Sequence, residues 1–270
     1  MITVKPNGGL GNRMRVINSC LLLAQQKNQE YVKLFWSANS VLNAGFTDLF
    51  EPIDSIKQVS FPFPLLYCLL KEKMGNSIES EKKTITGHFY FNDDAIKKYQ
   101  FNNAYWESKE AGLLFNTCYD FYKGVTTHNF YHLFKPQKNI QSRINQMLAG
   151  YKNHTAGIHI RRTDHVPSIK NSSTHYFINR METMLQENTI HQFYLSTDDR
   201  EVEAALMDHF GEKILTLKNK VLNRNSRAGM EDAVLDIYCL ANTNIIIGSF
   251  QSTFSEVAAA INNIPLIIAK

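Results

Sequence analysis

Residues 155–164 read Thr-Ala-Gly-Ile-His-Ile-Arg-Arg-Thr-Asp: six residues suited to a buried strand, then an abrupt run of charge. Everything C-terminal to this decapeptide repeats its logic. Short β-branched runs end in polar loops, and the loops lead into segments with apolar residues at helical spacing. Strands are predicted over residues 155–160, 192–196, 213–217, 244–248 and 265–268. Helices are predicted over 174–187, 200–210, 230–241 and 255–261. Ser173 or Thr174 is a candidate N-cap for the first helix, and Asp198 or Asp199 for the second. Alternation of this kind makes a parallel sheet with helices on both faces.

Toward the N-terminus the same pattern opens the chain. Residues 2–5 suit a strand. Gly8-Gly9-Leu10-Gly11-Asn12 suits a tight turn, and residues 13–26 form a helix with Met14, Ile17, Leu21 and Ala24 on one face. A second strand covers 31–36. From about Asn39 the pattern becomes irregular and rich in aromatics, and residues 135–153 read as a hinge plus a helix. The fold class expected is therefore α/β: two Rossmann-like halves with parallel sheets facing a cleft, divided as 1–145 and 146–270.

Composition sets the limits. A chain of 270 residues with 44% hydrophobic content can bury a sizeable core, and a net charge of +4 suits an anionic small ligand rather than nucleic acid. The four cysteines stand outside any metal-ligand spacing, and a cytoplasmic, reducing compartment is expected. The most apolar stretch, Phe61 to Leu70, is too short to span a bilayer and contains Pro62 and Pro64. A peripheral membrane association stays open.

In an open parallel sheet, ligands bind outside the carboxyl ends of the strands. Those ends deliver His159 to Asp164, Ser196 to Asp199, a loop carrying Lys218, Lys220, Asn223, Arg224, Asn225 and Arg227, and Gly248 to Thr253. Arg161 and Arg162 can present guanidinium forks to a diphosphate and stabilise the charge it gains as a departing group. Ser249 to Thr253 open a helix and form an anion site, an N-cap, or both. The Gly8–Asn12 turn lets backbone approach a ligand, though its spacing matches neither a dinucleotide fingerprint nor a P-loop. Asp198 and Asp199 read as caps in preference to a magnesium pair. Asp236 borders an apolar stripe and needs a partner: a guanine edge or a neighbouring arginine.

The motif His159-Ile160-Arg161-Arg162-Thr163-Asp164 resembles the H-x-R-R-x-D motif of the fucosyltransferase superfamily. The Gly8–Asn12 turn, Tyr194 to Asp199, Leu235 to Tyr238 and Ser249 to Ser252 resemble that group's other motifs, in order. The resemblance implies a GT-B-like fold, GDP-fucose as donor, a glycan acceptor, inversion at the anomeric carbon and no metal or other cofactor. It places Arg161 and Arg162 on the diphosphate and His159, Asp199 and Asp236 on the guanosine. Ser249, Gln251, Ser252 and Thr253 would lie by the phosphates, and Gly9, Leu10, Gly11, Asn12 and Arg13 would line the donor from the N-terminal, acceptor-side half. Asp164 is the nearest candidate base in sequence, with an N-terminal carboxylate as the alternative. His165, Thr163 and the run Thr253-Phe254-Ser255-Glu256 depart from the α-1,6 and α-1,2 patterns, which leaves the linkage open. A role in bacterial surface polysaccharide synthesis is the expectation. The rivals are a transferase for another nucleotide sugar and a non-catalytic glycan- or nucleotide-binding protein.

Overall fold

A strand buried on both faces needs side chains that pack above and below it, and β6 (Thr155–Ile160) meets that condition with all six residues buried. The computed structural model describes residues 1–124 and 129–270, and among these the chain divides into two compact units, Met1–Lys135 and Pro136–Lys270.

In the second unit, β6 is the middle of a five-stranded parallel sheet. On one side lie β7 (Gln192–Thr197) and β8 (Ile214–Thr216). On the other lie β9 (Ile245–Ser249) and β10 (Leu266–Ala269). Ala156, Ile158 and Ile160 share one face of β6 and join a core with Phe193, Leu195, Met181 and Leu206. The other face meets the helix Arg227–Ala241. A Cβ on Gly157 would lie 2.8 Å from Leu240 Cδ2, so the close approach there requires glycine. Helices Thr174–Gln186, Arg200–Phe210 and Thr253–Ile261 start where expected, within two residues. Ser173 and Asp199 cap the first two through their side chains. Helix Val166–Asn171 was not legible: six residues show less than two turns of periodicity.

The first unit repeats the parallel plan with the strand order β3-β2-β1-β5-β4. Its strands are β1 (Ile2–Pro6), β2 (Val32–Leu34), β3 (Ile56–Gln58), β4 (Phe89–Phe91) and β5 (Leu113–Thr117). Its long helix, Leu10–Gln26, begins three residues earlier than expected and is buried on more than one face. The aromatic-rich stretch that obscures the sequence pattern forms this unit's core: Trp106 is fully buried, 4.9 Å from the Phe91 ring and 5.0 Å from Phe121. The boundary falls at Lys135/Pro136 rather than at 145, because helix Lys138–Leu148 packs on helix Arg227–Ala241 and its Arg143 pairs with Asp232.

For reference below, α1 is Leu10–Gln26, α2 Phe46–Leu49, α3 Phe63–Lys73, α4 Asp93–Tyr99, α5 Asn103–Glu107, α6 Lys138–Leu148, α7 Val166–Asn171, α8 Thr174–Gln186, α9 Arg200–Phe210, α10 Arg227–Ala241 and α11 Thr253–Ile261. No helix of the described residues is long and apolar enough to cross a membrane.

Candidate functional site

In the second unit the chain runs from β6 outward to β7 and β8, then returns to lay β9 and β10 on the opposite side. The topological switch point is therefore between β6 and β9, and ligands bind outside the carboxyl ends of the strands there. Arg161 and Ser249 stand at that point. The Arg161 N–H donates to Ser249 Oγ at 3.0 Å, and that hydroxyl donates to the His159 carbonyl at 3.3 Å. Ser249 is fully buried and ties the two strand ends together, so it supports the rim.

His159 also turns inward. Its Nδ1 is hydrogen-bonded to Ser255 Oγ at 2.7 Å, with Ser252 Oγ at 3.4 Å, and its ring stacks on Phe254 at 4.7 Å between centroids. His159 props the β9–α11 turn, because the alternation of the strand sends this side chain beneath that turn. A Cβ on Gly248 would lie 2.4 Å from Ser255 Oγ, so glycine there is what lets Ser255 reach the imidazole. Burial pushes the His159 pKa down to about 3. Protons then bind the unfolded chain more readily between pH 6.5 and 3, so this residue's share of stability is complete above pH 6.5 and is lost as pH falls. Between pH 7.5 and 5 the loss is roughly 2 kcal/mol. Chemical denaturation at the two pH values should show this difference in the parent. His159→Gln should flatten it by most of that amount, and an unchanged acid limb would rule His159 out as its source.

Ser252 is the N-cap residue of α11 but makes no side-chain cap; it is buried and faces His159. Ser252 thus offers no side-chain cap to the first turn of α11, which begins at Thr253 and carries the acidic Glu256. Gln251, exposed, adopts a left-handed φ of 53° at the apex of the turn, a conformation that favours glycine.

Arg161 and Arg162 part company. Arg161 donates from Nε to Asp164 Oδ1 at 2.9 Å, with Nη2 at 2.8 Å from the same oxygen. Arg162 reaches the Arg161 carbonyl and Thr174 Oγ1, each at 3.1 Å. Asp164 is not a free base: its other oxygen receives Arg224 Nη1 at 2.9 Å, so both oxygens are committed to guanidinium groups. Asp198 accepts from the Arg162 N–H at 2.7 Å and from Thr163 Oγ1 at 2.7 Å. Burial opposes its charge, but these bonds and the neighbouring imidazole outweigh burial and hold its carboxyl below the ordinary range. Asp199, expected at the guanosine, caps α9 through Oδ1, accepting from Glu201 N at 2.8 Å and Val202 N at 3.2 Å. Among the described residues no group of three His, Cys, Asp or Glu side chains could hold a metal ion.

Asp236 is 1% exposed and accepts from Tyr194 Oη at 2.6 Å and Ser196 Oγ at 2.7 Å. Lys220, from the β8–α10 loop, forms an ion pair with it and also donates to the Thr197 carbonyl at 3.0 Å. The sequence offered a guanine edge or an arginine as the partner of Asp236; the structure has a lysine instead, because a carboxylate buried between two hydroxyls takes the nearest cation and the β8–α10 loop brings Lys220 there. Lys220 and Arg224 are the residues whose importance sequence reasoning missed. The signal was their position in a basic loop after a strand end; nothing local says which of its side chains turns inward.

In the first unit the switch point lies between β1 and β5. Gly8 has φ 77°, and a Cβ on Gly9 would meet nothing within 4 Å. α1 carries no side-chain cap and no acidic residue in its first turn, so nothing negative there offsets the positive end of its dipole. Leu10 and Gly11 are buried, and Asn12 tucks its amide beneath Gly8. Arg13, expected at a ligand, is buried and works inward: Nε donates to the Gly8 carbonyl at 3.0 Å and Nη1 to the Ser37 carbonyl at 2.8 Å, while the guanidinium lies 4.7 Å from the Trp36 centroid. Burial lowers its pKa to about 10. Beside this turn, Asn7 Nδ2 donates to Asn116 Oδ1 at 2.9 Å. Glu72 accepts from Tyr90 Oη at 2.5 Å and Asn92 Nδ2 at 2.8 Å.

Comparison with known proteins agrees at the level of the fold. No protein-family model matches the sequence, and a search of curated proteins finds no match. Among solved structures, this chain is similar to NodZ α-1,6-fucosyltransferase soaked with GDP-fucose, with 16% identity, 99% of this chain and 94% of that one covered, and a TM-score of 0.66. It is similar to an Arabidopsis thaliana FUT1 variant in complex with GDP at 14% identity, 99% and 69% coverage and a TM-score of 0.64. For POFUT1 in complex with GDP the values are 10%, 99%, 97% and 0.57. Two Rossmann-like units in one chain, the GT-B-like plan, are common to this protein and these structures.

Proposed function

We propose that this chain is an inverting, metal-independent glycosyltransferase that moves L-fucose from GDP-fucose to a glycan hydroxyl. The observation that carries the reading is Arg161, which has a half-buried guanidinium and stands at the β6–β9 switch point, its backbone N–H tied to Ser249 in the turn that leads to α11, a helix whose N-cap residue Ser252 makes no side-chain cap. Fixed cations and backbone N–H groups of this kind stabilise a departing diphosphate. Three similar folds were solved with GDP or GDP-fucose, which supports a guanine nucleotide sugar over other donors.

In a single displacement the acceptor oxygen bonds to C1 of the sugar as the bond from C1 to the diphosphate oxygen breaks, and the configuration at C1 inverts. The transition state has oxocarbenium character, and the electron pair leaves on the diphosphate. The acceptor proton does not go to Asp164, both of whose oxygens are held by arginines. An acceptor-side role for the first unit is supported by its own rim, where Glu72, Asn92 and Asn116 carry the carboxylate and amides that suit sugar hydroxyls, tied together through the buried Tyr90 phenol. A cytoplasmic setting fits the four free cysteines, and surface polysaccharide synthesis fits a glycan acceptor.

Calorimetric titration with GDP, GDP-fucose and GDP-mannose, with and without magnesium, tests the reading. Expected are micromolar-range binding of GDP and GDP-fucose that magnesium leaves unchanged, and release of GDP from GDP-fucose when a glycan array is supplied. Folded protein that binds none of the three would overturn it. A preference for GDP-mannose would keep the transferase and change the sugar.

A further inference from the structure

Neighbouring side chains of an extended segment leave on opposite sides, so adjacent arginines at a strand end do not readily serve one anion. Arg162 accordingly runs to Thr174 at the start of α8, away from the carboxylate that Arg161 meets. The guanidinium that does converge with Arg161 comes from 63 positions further along: Arg224 Nη1 lies 2.9 Å from Asp164 Oδ2, while Arg161 holds Oδ1. The Asp164 carboxylate is thus shared between two guanidinium groups just beyond the β6 terminus, with Arg224 Nη2 also 3.8 Å from Asp198 Oδ2.

Arg224 is not a swinging surface side chain. Its loop is tied to the unit on both flanks. Val221 N donates to Asp232 Oδ2 at 2.8 Å, Arg200 donates to the Lys220 carbonyl, and Lys220 itself pairs with the buried Asp236. Ser226 Oγ donates to the Asn223 carbonyl at 2.8 Å. A Cβ on Gly229 would lie 2.1 Å from that same carbonyl oxygen, so the first turn of α10 fits beneath the loop only as glycine. The side chains of Arg161 and Arg224 are 21% and 33% exposed, enough to reach a ligand and buried enough to strengthen a charge pair.

We propose that Arg224 is the second guanidinium on the donor diphosphate, and that Asp164 holds Arg224 and Arg161 at the spacing that diphosphate needs. This rests on the reading of the rim as a nucleoside-diphosphate-sugar site. A diphosphate offers several acceptor oxygens to two forks, where Asp164 offers one to each. Asp164 and Arg224 are therefore positioning and binding groups respectively.

The test is calorimetric titration of the full chain with GDP, GMP and guanosine, for the parent, Arg224→Ala, Arg224→Lys, Arg161→Ala and the double alanine variant, each with its melting temperature. Arg224→Ala should weaken GDP about 20-fold or more and leave guanosine within about twofold. Arg224→Lys, which keeps the charge and most of the stem, should recover part of the loss, and it carries the test if the alanine variant does not fold. In the Arg161→Ala background the second substitution should cost less than in the parent, because both groups serve one anion. A folded Arg224→Ala that binds GDP like the parent would overturn the proposal and leave a structural ion pair. An equal loss for guanosine and GDP would overturn it too, by placing the effect away from the phosphates. A parent that binds no guanine nucleotide fails the underlying reading itself, which the other two outcomes leave standing.

Discussion

Arg161→Ala is expected to weaken GDP binding about 100-fold, equivalent to about 2.8 kcal/mol, and to slow transfer from GDP-fucose by about 10²–10³-fold. The side chain is half-buried at the switch point, where water screens it less than at an open surface. Its substitution removes a fork that grows more favourable as the diphosphate gains charge, so kcat should fall more than the donor KM rises. Arg161→Lys should recover only a part, since an ammonium restores the charge and not the two parallel donors. Titration calorimetry and initial rates with a glycan acceptor read both effects. If the alanine variant keeps more than about a third of the parental rate, the diphosphate lies elsewhere.

The second large effect is on stability. Asp236→Ala should lower the stability of the second unit by about 3–5 kcal/mol, the cost of leaving a buried ammonium without its counter-ion. The variant strands Lys220, whose side chain is 9% exposed, and removes the acceptor of Tyr194 Oη and Ser196 Oγ at once. At roughly 2–4 °C per kcal/mol, the melting temperature should drop by about 10 °C. The double variant Asp236→Leu/Lys220→Met should regain most of this, because it removes both buried charges and leaves apolar groups in their place. Differential scanning calorimetry separates the cases. A single variant that melts within about 2 °C of the parent would show that the pair does not hold the loop. Because that loop also carries Arg224, GDP affinity should weaken in Asp236→Ala before the unit unfolds.

These two residues mark how differently the site could be read from the chain. Arg161 follows a strand whose six residues are unmistakably buried, and the charge that follows must lie at a strand end. Asp236 shows only as a carboxylate at the edge of an apolar stripe. That it needs a partner follows from desolvation, but whether the partner is a ligand or Lys220 depends on how residues 217–226 cross the rim. His159 is the same case: its place in the strand was legible, yet its burial under Phe254 and Ser255 depends on the path of the β9–α11 turn.

The sequence alone determined the parallel α/β organisation of the second unit, narrowed two of its helix caps to neighbouring pairs from which the structure takes Ser173 and Asp199, and gave the open turn at Gly8 and Gly9 and the rim on which Arg161 stands. Each rests on periodicity, capping or turn chemistry within a few residues. Only the tertiary structure decided that β1 pairs with β5 across more than a hundred residues, that the aromatics around Trp106 are core, and that helix α6 belongs to the second unit. It also decided that Arg224, not Arg162, shares the Asp164 carboxylate with Arg161. Those outcomes depend on which distant surfaces meet, and the local pattern of polar and apolar residues sets only which surfaces must be covered, not by what.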